Sequence, residues 1–253
     1  MATLEKLCDL LFELSSSERM RIVSLLNCER LKLSHLSQKL DITVTEASRH
    51  LQRLSETQLI QKDAGGLYHI TSYGELALRQ LSGLGFISGN GKYFLEHDTS
   101  HLPYKFVSRI GELSLGSLNK DVLACIASAE LALKQAEEFC WSLTDQVIAS
   151  SSTIIEDKIK AGIKFRAILP EKLVSPPGYI PAHGVERRTV PKIELRVLVT
   201  EKEAMFGFPF LNGQMDYAQF MSKDSKFHEW CKDLHLFYWE KAKPILYFPN
   251  IRS

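Results

Sequence analysis

Three side chains near the end of the sequence have the chemistry of a metal site. His228, Cys231 and His235 stand at intervals of three and four residues, so a helix would carry them along one side. Imidazole and thiolate groups suit zinc. This stretch offers only three ligands, however, and an apolar stripe runs beside them, made of Phe227, Trp230, Leu234 and Phe237. We therefore predict no metal and no cofactor, with Cys231 at the margin of the core and the histidines near the surface.

A second group of side chains has the chemistry that reads DNA. In TVTEASRHLQRL (43–54), Ala47, Leu51 and Leu54 recur at helical spacing and should face a core. The outward face then carries Thr45, Glu46, Ser48, Arg49, Gln52 and Arg53. Arginine pairs with guanine edges in the major groove, glutamine pairs with adenine, and hydroxyl groups contact phosphates. This polar face predicts a helix that contacts DNA.

Helical patterns before this stretch would position it. A first helix is predicted over residues 4–14, and its buried positions are Leu4, Leu7, Leu11 and Leu14. A second helix is predicted from the cap SSSE (15–18), and its buried positions are Met20, Val23 and Leu26. A third, LSHLSQKL (33–40), ends at Asp41. Thr43 and Glu46 have the spacing of a capping box, which sets the start of the fourth helix.

A β-hairpin is predicted after these helices. The runs LIQK (59–62) and LYHIT (67–71) flank DAGG (63–66), whose glycines can supply the positive φ angles of a turn. Lys62, Tyr68 and His69 lie on this hairpin, and a closing helix is predicted from Tyr73 to Leu81.

In this order, the elements of residues 5–81 resemble the winged helix-turn-helix of ArsR-like and MarR-like prokaryotic regulators. TEASRHLQRL followed by LI carries the resemblance most strongly. It implies binding to double-stranded DNA, with a recognition helix in the major groove and the hairpin as a wing. The DNA-contacting residues predicted are Thr43, Thr45, Ser48, Arg49, Gln52, Arg53, Lys62, Tyr68 and His69. Residues 41–57 contain no cysteine, so the thiolate motif of ArsR metal sensors is absent.

Net charge gives no signal for DNA binding. The 253 residues include 31 basic and 30 acidic side chains, and residues 1–80 hold ten of each. Since phosphate contacts supply much of the affinity of DNA-binding proteins, one such domain should bind weakly, and we predict a homodimer. The alternative is a protein-interaction adaptor whose winged helix does not bind DNA.

The remaining composition excludes several other classes. With 45% hydrophobic and 24% charged residues, the chain can bury a large core and is not disordered. No apolar run approaches the roughly 18 residues of a membrane span. The five cysteines are scattered and lack CxxC spacing, as is typical of reduced thiols. We expect a cytoplasmic protein without membrane contact.

The second half of the sequence predicts alternating strands and helices. Apolar β-prone runs occur at residues 139–144, 163–169, 193–200 and 203–210, with a crossover helix at 145–162 and a final helix after Ser225. Arg187 and Arg188 are expected in a solvated loop. Residues 83–118 are rich in Gly, Ser and aromatic residues and predict a linker and an arm. The fold class is therefore multi-domain α/β, with domains at 1–82 and 119–253.

Residues 92–243 look like the methanogenesis-regulatory domain that follows a winged helix in many archaeal regulators. The motifs that carry this are HDTSHLPYKFVSRIGEL, SLTDQVI, VTEKEAMFGFP and FHEWCKDLHLFYWEKA. The resemblance implies an archaeal regulator and a phospholipase D-like fold. An enzyme of that type needs a nucleophilic His with Lys two residues later. The sequence contains no His-x-Lys, so we predict no catalysis.

A ligand pocket is expected at the carboxyl ends of the strands, where open α/β sheets collect small molecules. Its candidate residues are Trp141, Thr144, Arg166, Arg196, Phe206, Phe208, Asp216 and Tyr217. Each also has a structural alternative, as a core residue, an ion-pair partner or a cap. The second half is thus predicted to sense a small molecule of unknown identity or to mediate dimerisation.

Overall fold

The computed structural model describes residues 2–147, 151–176 and 179–245. The chain divides into two compact units, residues 1–82 and 83–253. The fold class is α/β: helices combine with a two-stranded sheet in the first unit and an eight-stranded sheet in the second. No helix in the described ranges has the length and apolar character needed to cross a membrane.

The first unit contains the predicted helices and hairpin. Its elements are α1 (Ala2–Leu14), α2 (Ser17–Cys28), α3 (Leu33–Leu40), α4 (Val44–Glu56), β1 (Ile60–Lys62), β2 (Tyr68–Ile70) and the start of α5 (Ser72–Gly89). Helix α3 ends at Asp41, whose φ of 55° reverses the chain. The capping box of α4 is present: the Glu46 amide donates to Thr43 Oγ1 at 3.2 Å, and the Thr43 amide donates to Glu46 Oε2 at 2.9 Å.

The prediction for α1 was wrong at three of its four positions. Leu14 is buried, but Leu4, Leu7 and Leu11 are 66%, 48% and 40% exposed. Within α1, the core of the first unit reaches only Leu14 and, partly, Leu10. Periodicity identified the apolar row of α1 correctly. Only the end of this row, at Leu14, packs in the core of the first unit, and the other three leucines are exposed.

The hairpin of β1 and β2 has the predicted position. Its register pairs Ile60 with Ile70 and Lys62 with Tyr68. Gly66 supplies the left-handed conformation of the turn, with a φ of 80°. Leu31 adds a single antiparallel bridge to Tyr68, so the segment between α2 and α3 extends this small sheet.

The structure differs from the linker and arm predicted for residues 83–118. This segment continues α5 and then forms α6 (Gly91–Glu96), α7 (Tyr104–Val107), a 3-10 helix (Ile110–Leu113) and β3 (Ser117–Asn119). Its apolar side chains enter the core of the second unit, namely Phe86, Tyr93, Leu102, Phe106 and Leu113. The glycines and serines of this segment resemble turn signals. Helices form there nevertheless, because the large apolar side chains between these residues are buried in the core.

The sheet of the second unit is mixed. Its strands lie in the order β10-β6-β5-β4-β7-β8-β9-β3. Besides β3, they are β4 (Phe139–Leu143), β5 (Lys164–Pro170), β6 (Glu186–Val190), β7 (Arg196–Thr200), β8 (Ala204–Gly207), β9 (Gln219–Ser222) and β10 (Lys243–Pro244). Strands β4, β5 and β6 are parallel, and the remaining pairs are antiparallel. Arg187 and Arg188 lie on β6, so the loop predicted for them was wrong.

Helices cover both faces of this sheet. Helices α8 (Val122–Gln135) and α9 (Ser151–Lys160) pack on one face against Cys140 and Phe165, and α10 (Ser225–Lys241) packs on the other. Because side chains alternate along a strand, Cys140 faces α8 and α9 whereas Trp141 stacks on His235 of α10, with ring centroids 5.4 Å apart. This alternation decides which residues reach the cavity described below.

Candidate functional site

The outward face of α4 has the composition that the sequence predicted. Ala47, Leu51 and Leu54 are 0%, 1% and 0% exposed, which fixes the rotation of the helix about its axis. The opposite side is solvent-exposed and carries Thr45, Ser48, Arg49 and Gln52. Arg49 forms no hydrogen bond or ion pair with any described residue. Its guanidinium is therefore available to an external acceptor.

Arg53 has a different environment from Arg49. Its Nε donates to Glu13 Oε2 at 3.0 Å, and its Nη2 donates to Glu13 Oε1 at 2.6 Å. The hydrogen bonds from Arg53 and the nearby charge of Arg19 hold the pKa of Glu13 below its ordinary value. Arg53 also lies over the ring of Phe12, with its Cζ 5.3 Å from the centroid. Sequence analysis assigned Arg53 to DNA, but the structure pairs it with α1.

Two other predicted DNA contacts on this face have local partners. The Thr43 hydroxyl accepts from the Glu46 amide and donates to Glu46 Oε2 at 2.8 Å, so it serves the helix cap. Gln52 Nε2 donates to Glu56 Oε1 at 2.9 Å on the exposed surface. Gln52 can leave its exposed hydrogen bond to Glu56 for another partner at little cost in free energy. Thr43 cannot do so without removing the cap of α4.

The predicted wing residues lie together on the hairpin. Lys62 is exposed, and its Nζ is 5.4 Å from the centroid of the Tyr68 ring. His69 Nε2 lies 2.8 Å from Gln61 Nε2 on the neighbouring strand. The hairpin therefore presents one cation with a supporting aromatic ring.

Ion pairing leaves few basic side chains available in the first unit. Half of the ten basic residues in positions 1–80 pair internally: Arg19 and Arg53 with Glu13, Arg30 with Asp63, Lys39 with Glu29, and Arg79 with Glu75. The other five form no ion pair with the part of the chain that the structure describes: Lys6, Arg21, Lys32, Arg49 and Lys62. Of these, Arg49 is on α4 and Lys62 is on the hairpin.

The second unit contains a cavity of about 170 Å³ between the sheet and helices α8 and α9. Four of the eight predicted pocket residues border it, namely Thr144, Arg166, Arg196 and Phe206, and the other four do not, namely Trp141, Phe208, Asp216 and Tyr217. Polar residues that sequence analysis missed also border it: Glu130, Gln146, Tyr179, Arg187 and Gln219. Arg187 lies on β6 and Gln219 on β9, two strands that the sequence did not predict, so no local signal indicated either residue.

Two of the four bordering residues direct their side chains away from the cavity. The Arg166 guanidinium lies over Trp141 and Trp239, with its Cζ 5.1 and 5.0 Å from their ring centroids. The Phe206 ring packs in the core under α10, 5.2 Å from Trp230. Both follow from register: Arg166 pairs with Trp141, and Phe206 pairs with Val197 and Phe220, which belong to the core under α10. Thr144 and Arg196 are the predicted residues that keep a polar group on the cavity side.

Arg196 is a partly buried charged residue at this cavity. Its Nε and Nη1 atoms are buried and have no hydrogen-bond partner among the described residues. Its Cζ lies 4.5 Å from the centroid of the Tyr217 ring. Burial lowers the pKa of Arg196 from its ordinary value.

The acidic residues near Arg196 have other partners. The Tyr217 hydroxyl donates to Asp145 Oδ2 at 3.1 Å, and burial together with the Asp145 charge raises the pKa of Tyr217 to about 12. Asp216 Oδ2 lies 2.8 Å from Nε2 of the buried His97. Thus Asp216 and Tyr217 belong to a polar network beside the cavity and do not line it.

The three candidate metal ligands do not converge. His228 Nε2 contacts the Thr200 carbonyl, and Cys231 is fully buried in the main core. His235 is also fully buried, with its Nε2 3.2 Å from the Ser142 carbonyl, and burial lowers its pKa to about 4. The prediction of a surface position was wrong for His235. The buried face of α10 is wider than the apolar stripe of Phe227, Trp230 and Leu234, and it includes His235. Over the described ranges, no three His, Cys, Asp or Glu side chains form a metal-binding group.

Comparisons with known proteins give distant structural likenesses. No family model and no curated protein sequence matches the chain. TrmBL2, an archaeal chromatin protein, is 16% identical over 85% of this chain and 88% of its own, with a TM-score of 0.43. Reduced HlyU from Vibrio cholerae is 23% identical over 33% of this chain and 92% of its own, with a TM-score of 0.29. NucT from Helicobacter pylori is 12% identical over 51% of this chain and 98% of its own, with a TM-score of 0.40.

All three TM-scores are below 0.5, so these likenesses assign no function to this chain. The resemblances to ArsR-like regulators and to the phospholipase D-like fold stay predictions.

Proposed function

We propose that this protein is a DNA-binding transcriptional regulator that acts as a homodimer and contacts duplex DNA through α4. The observation that carries the proposal is the exposed guanidinium of Arg49, which has no partner among the described residues and stands on a helix face rich in hydroxyl and amide groups. In a major groove, Arg49 would pair with a guanine edge and Gln52 with an adenine edge. Ser48 and Thr45 would contact phosphates.

The hairpin would act as the wing beside the DNA backbone. Lys62 supplies its exposed cation, and Tyr68 and His69 complete the same surface. Thr43 and Arg53 have positioning roles in this proposal, because one caps α4 and the other attaches it to α1. The base-reading set is therefore narrower than the sequence suggested.

The homodimer is supported by the exposed apolar face of α1. Leu4, Leu7 and Leu11 lie at i, i+3 and i+7, and Phe12 beside them is 62% exposed. A contiguous apolar face of this kind favours burial against another protein surface. A second copy would bury it and would place two α4 helices on one duplex, which compensates for the few unpaired cations of each copy.

The second unit would sense a small molecule through its cavity. A ligand that binds one arrangement of the dimer better than another would change the spacing of the two α4 helices and hence the affinity for DNA. A protein of this kind would work in the cytoplasm. It would not act as an enzyme of the phospholipase D type, since the sequence lacks the His-x-Lys motif of that reaction.

A second candidate function is a protein-interaction adaptor. The equal numbers of acidic and basic residues in positions 1–80 favour it, because a neutral surface attracts DNA weakly. In that case α1 and α4 would both contact proteins.

Selection of duplexes from a random pool by the full-length protein separates the two candidates. For a regulator, we expect enrichment of an inverted repeat, with an association constant that falls linearly with salt on a double-logarithmic plot. Absence of any enriched sequence, or binding that does not respond to salt, would favour the adaptor.

A further inference from the structure

We infer that the cavity of the second unit binds a small organic acid, with one carboxylate held by Arg196 and an apolar body between the sheet and helices α8 and α9. The inference deepens the ligand-sensing part of the proposed function, on which it rests for its biological role. The chemical class of the ligand is inferred from the residues of the cavity alone.

Arg196 lies on the cavity side of the sheet with two buried nitrogen atoms that lack an acceptor in the described part of the chain. This residue begins β7, and its side chain faces α8 and α9 because it alternates with Val197, which belongs to the opposite core. Nε and Nη1 are buried and have no acceptor among the residues described. A buried guanidinium without hydrogen-bond partners is costly, and an anion in the adjoining space would remove that cost.

The local carboxylates act on Arg196 only from a distance: the charges of Asp145 and Asp216 favour its charged form, against the larger opposing effect of burial, but neither carboxylate contacts the guanidinium. Asp145 accepts from the Tyr217 hydroxyl at 3.1 Å, and Asp216 is 2.8 Å from His97. Within the described part of the chain, neither forms an ion pair with Arg196. The planar guanidinium matches a carboxylate in geometry, so an external carboxylate is the natural partner.

The wall of the cavity is mainly apolar. Most of its side chains are apolar and come from α8, α9 and the strands, including Leu133, Ile155, Phe165, Val185, Leu198 and Met205. The volume of about 170 Å³ is comparable with the roughly 150 Å³ of a cavity that holds one benzene molecule. An aromatic or branched aliphatic group therefore fits the space in both size and polarity.

The charged residues that border the cavity favour a ligand with a single negative charge. Arg187 also borders the cavity, but its Nη2 donates to the Ala182 carbonyl at 2.6 Å and its Nη1 to the Val185 carbonyl at 3.3 Å. Glu130 borders it as well and adds a negative charge. Arg187 and Arg196 together carry two positive charges beside the negative charge of Glu130, and the single positive charge left in excess suits a monocarboxylate better than a phosphate dianion.

The test measures binding of benzoate to the full-length protein by ligand-observed NMR titration. Benzamide serves as the neutral probe of the same shape, and phenyl phosphate as the dianionic one. We expect saturable benzoate binding, with benzamide at least about tenfold weaker, since a charge-assisted hydrogen bond contributes about this factor. Phenyl phosphate should also bind more weakly than benzoate, because Glu130 repels its second negative charge. Benzamide binding equal to that of benzoate would overturn the carboxylate assignment, as would tighter binding of phenyl phosphate.

Two variants locate the site. Arg196→Gln should weaken benzoate binding by about tenfold or more, whereas Arg188→Gln, on the opposite face of the same sheet, should leave it unchanged. Ala129→Leu narrows the cavity from α8 without changing a charge, so it should also weaken benzoate binding and keeps the test valid if Arg196→Gln does not fold. Unchanged binding in folded Arg196→Gln or Ala129→Leu protein, or no saturable benzoate binding at all, would overturn the inference.

The outcome is separable from that of the proposed function. Benzoate binding is measured without DNA, so the cavity assignment stands or falls on its own. If benzoate binds as expected but leaves the affinity for selected DNA unchanged, the coupling in the proposed function fails and the ligand site remains.

Discussion

Arg53 of α4 and Glu13 of α1 form an ion pair with two hydrogen bonds, at 3.0 and 2.6 Å. Glu13 also pairs with Arg19 of α2, whose Nε lies 3.3 Å from Glu13 Oε2. A single carboxylate thus connects the helix proposed to read DNA with the helix proposed to form the dimer. Any change in the position of α1 should be transmitted to α4 through this contact.

Replacing Glu13 should destabilise the first unit. The Glu13 side chain is 11% exposed and that of Arg53 is 38% exposed, so the degree of burial of this pair is intermediate between that of a surface salt bridge and that of a buried one. We expect Glu13→Gln to lower the free energy of unfolding by about 1–2 kcal/mol, measured by urea denaturation. Glu29→Gln, which breaks the exposed pair with Lys39, is the matched control and should cost less than about 0.5 kcal/mol.

The effect of Glu13→Gln should also depend on pH. The folded pKa of Glu13 is lowered from 4.5, so the unfolded chain takes up a proton first as the pH falls. The contribution of Glu13 is complete above pH 4.5 and disappears as the pH drops through the folded value. Curves for wild type and Glu13→Gln should therefore converge in acid, and a constant gap would show that the ionised pair is not the source of stability.

Thr43 should matter for stability through its cap. Thr43→Ala removes the acceptor for the Glu46 amide and should cost about 1 kcal/mol of unfolding free energy. Thr45→Ala, two residues further on the exposed face, should change stability by less than about 0.5 kcal/mol. Equal effects of the two substitutions in thermal unfolding would argue against the capping role.

His235 should make the second unit sensitive to acid. The unfolded side chain takes up a proton near pH 6.5, while the folded one does so only near pH 4. Between these values the unfolded state binds more protons, so the free energy of unfolding should decrease as the pH falls. His235→Leu should flatten this decrease, and His183→Leu at an exposed position should not. The comparison requires unfolding curves at several pH values across the window.

The apolar face of α1 should control the oligomeric state. Leu7→Glu places a charge at the centre of the exposed row, and we expect it to convert a dimer to a monomer in light scattering coupled to size-exclusion chromatography. Lys6→Glu, one residue away, introduces the same side chain next to the row and should leave the dimer intact. A wild-type protein that is monomeric at high concentration would contradict the homodimer itself.

Local signals in the sequence predicted the first unit well. The capping box of Thr43 and Glu46 and the burial of Ala47, Leu51 and Leu54 depend on residues a few positions apart, and the structure confirms them. The partnership of Arg53 with Glu13 spans 40 residues and depends on how α1 and α4 pack, which no local pattern contains.

The candidate cavity was harder to predict for a related reason. Trp141 and Ser142 are neighbours in sequence, but alternation along β4 sends Trp141 to α10 and leaves Ser142 on the cavity side. Choosing between them requires knowing which helix covers which face. The strands β3, β9 and β10 have only two to four residues and were missed because, unlike β1 and β2, they do not pair with a partner across a short turn that marks them in the sequence.

The most direct test of the account is the affinity of Arg49→Ala for a duplex selected by the wild-type full-length protein. Arg79→Ala is the matched control, because Arg79 is an exposed arginine of α5 that pairs with Glu75. Measured by fluorescence anisotropy at fixed salt, Arg49→Ala should bind about tenfold or more weakly, as expected for loss of one arginine–base contact, and Arg79→Ala should bind like the wild type. Equal affinity of Arg49→Ala and wild type would contradict the assignment of α4 as the helix that reads DNA.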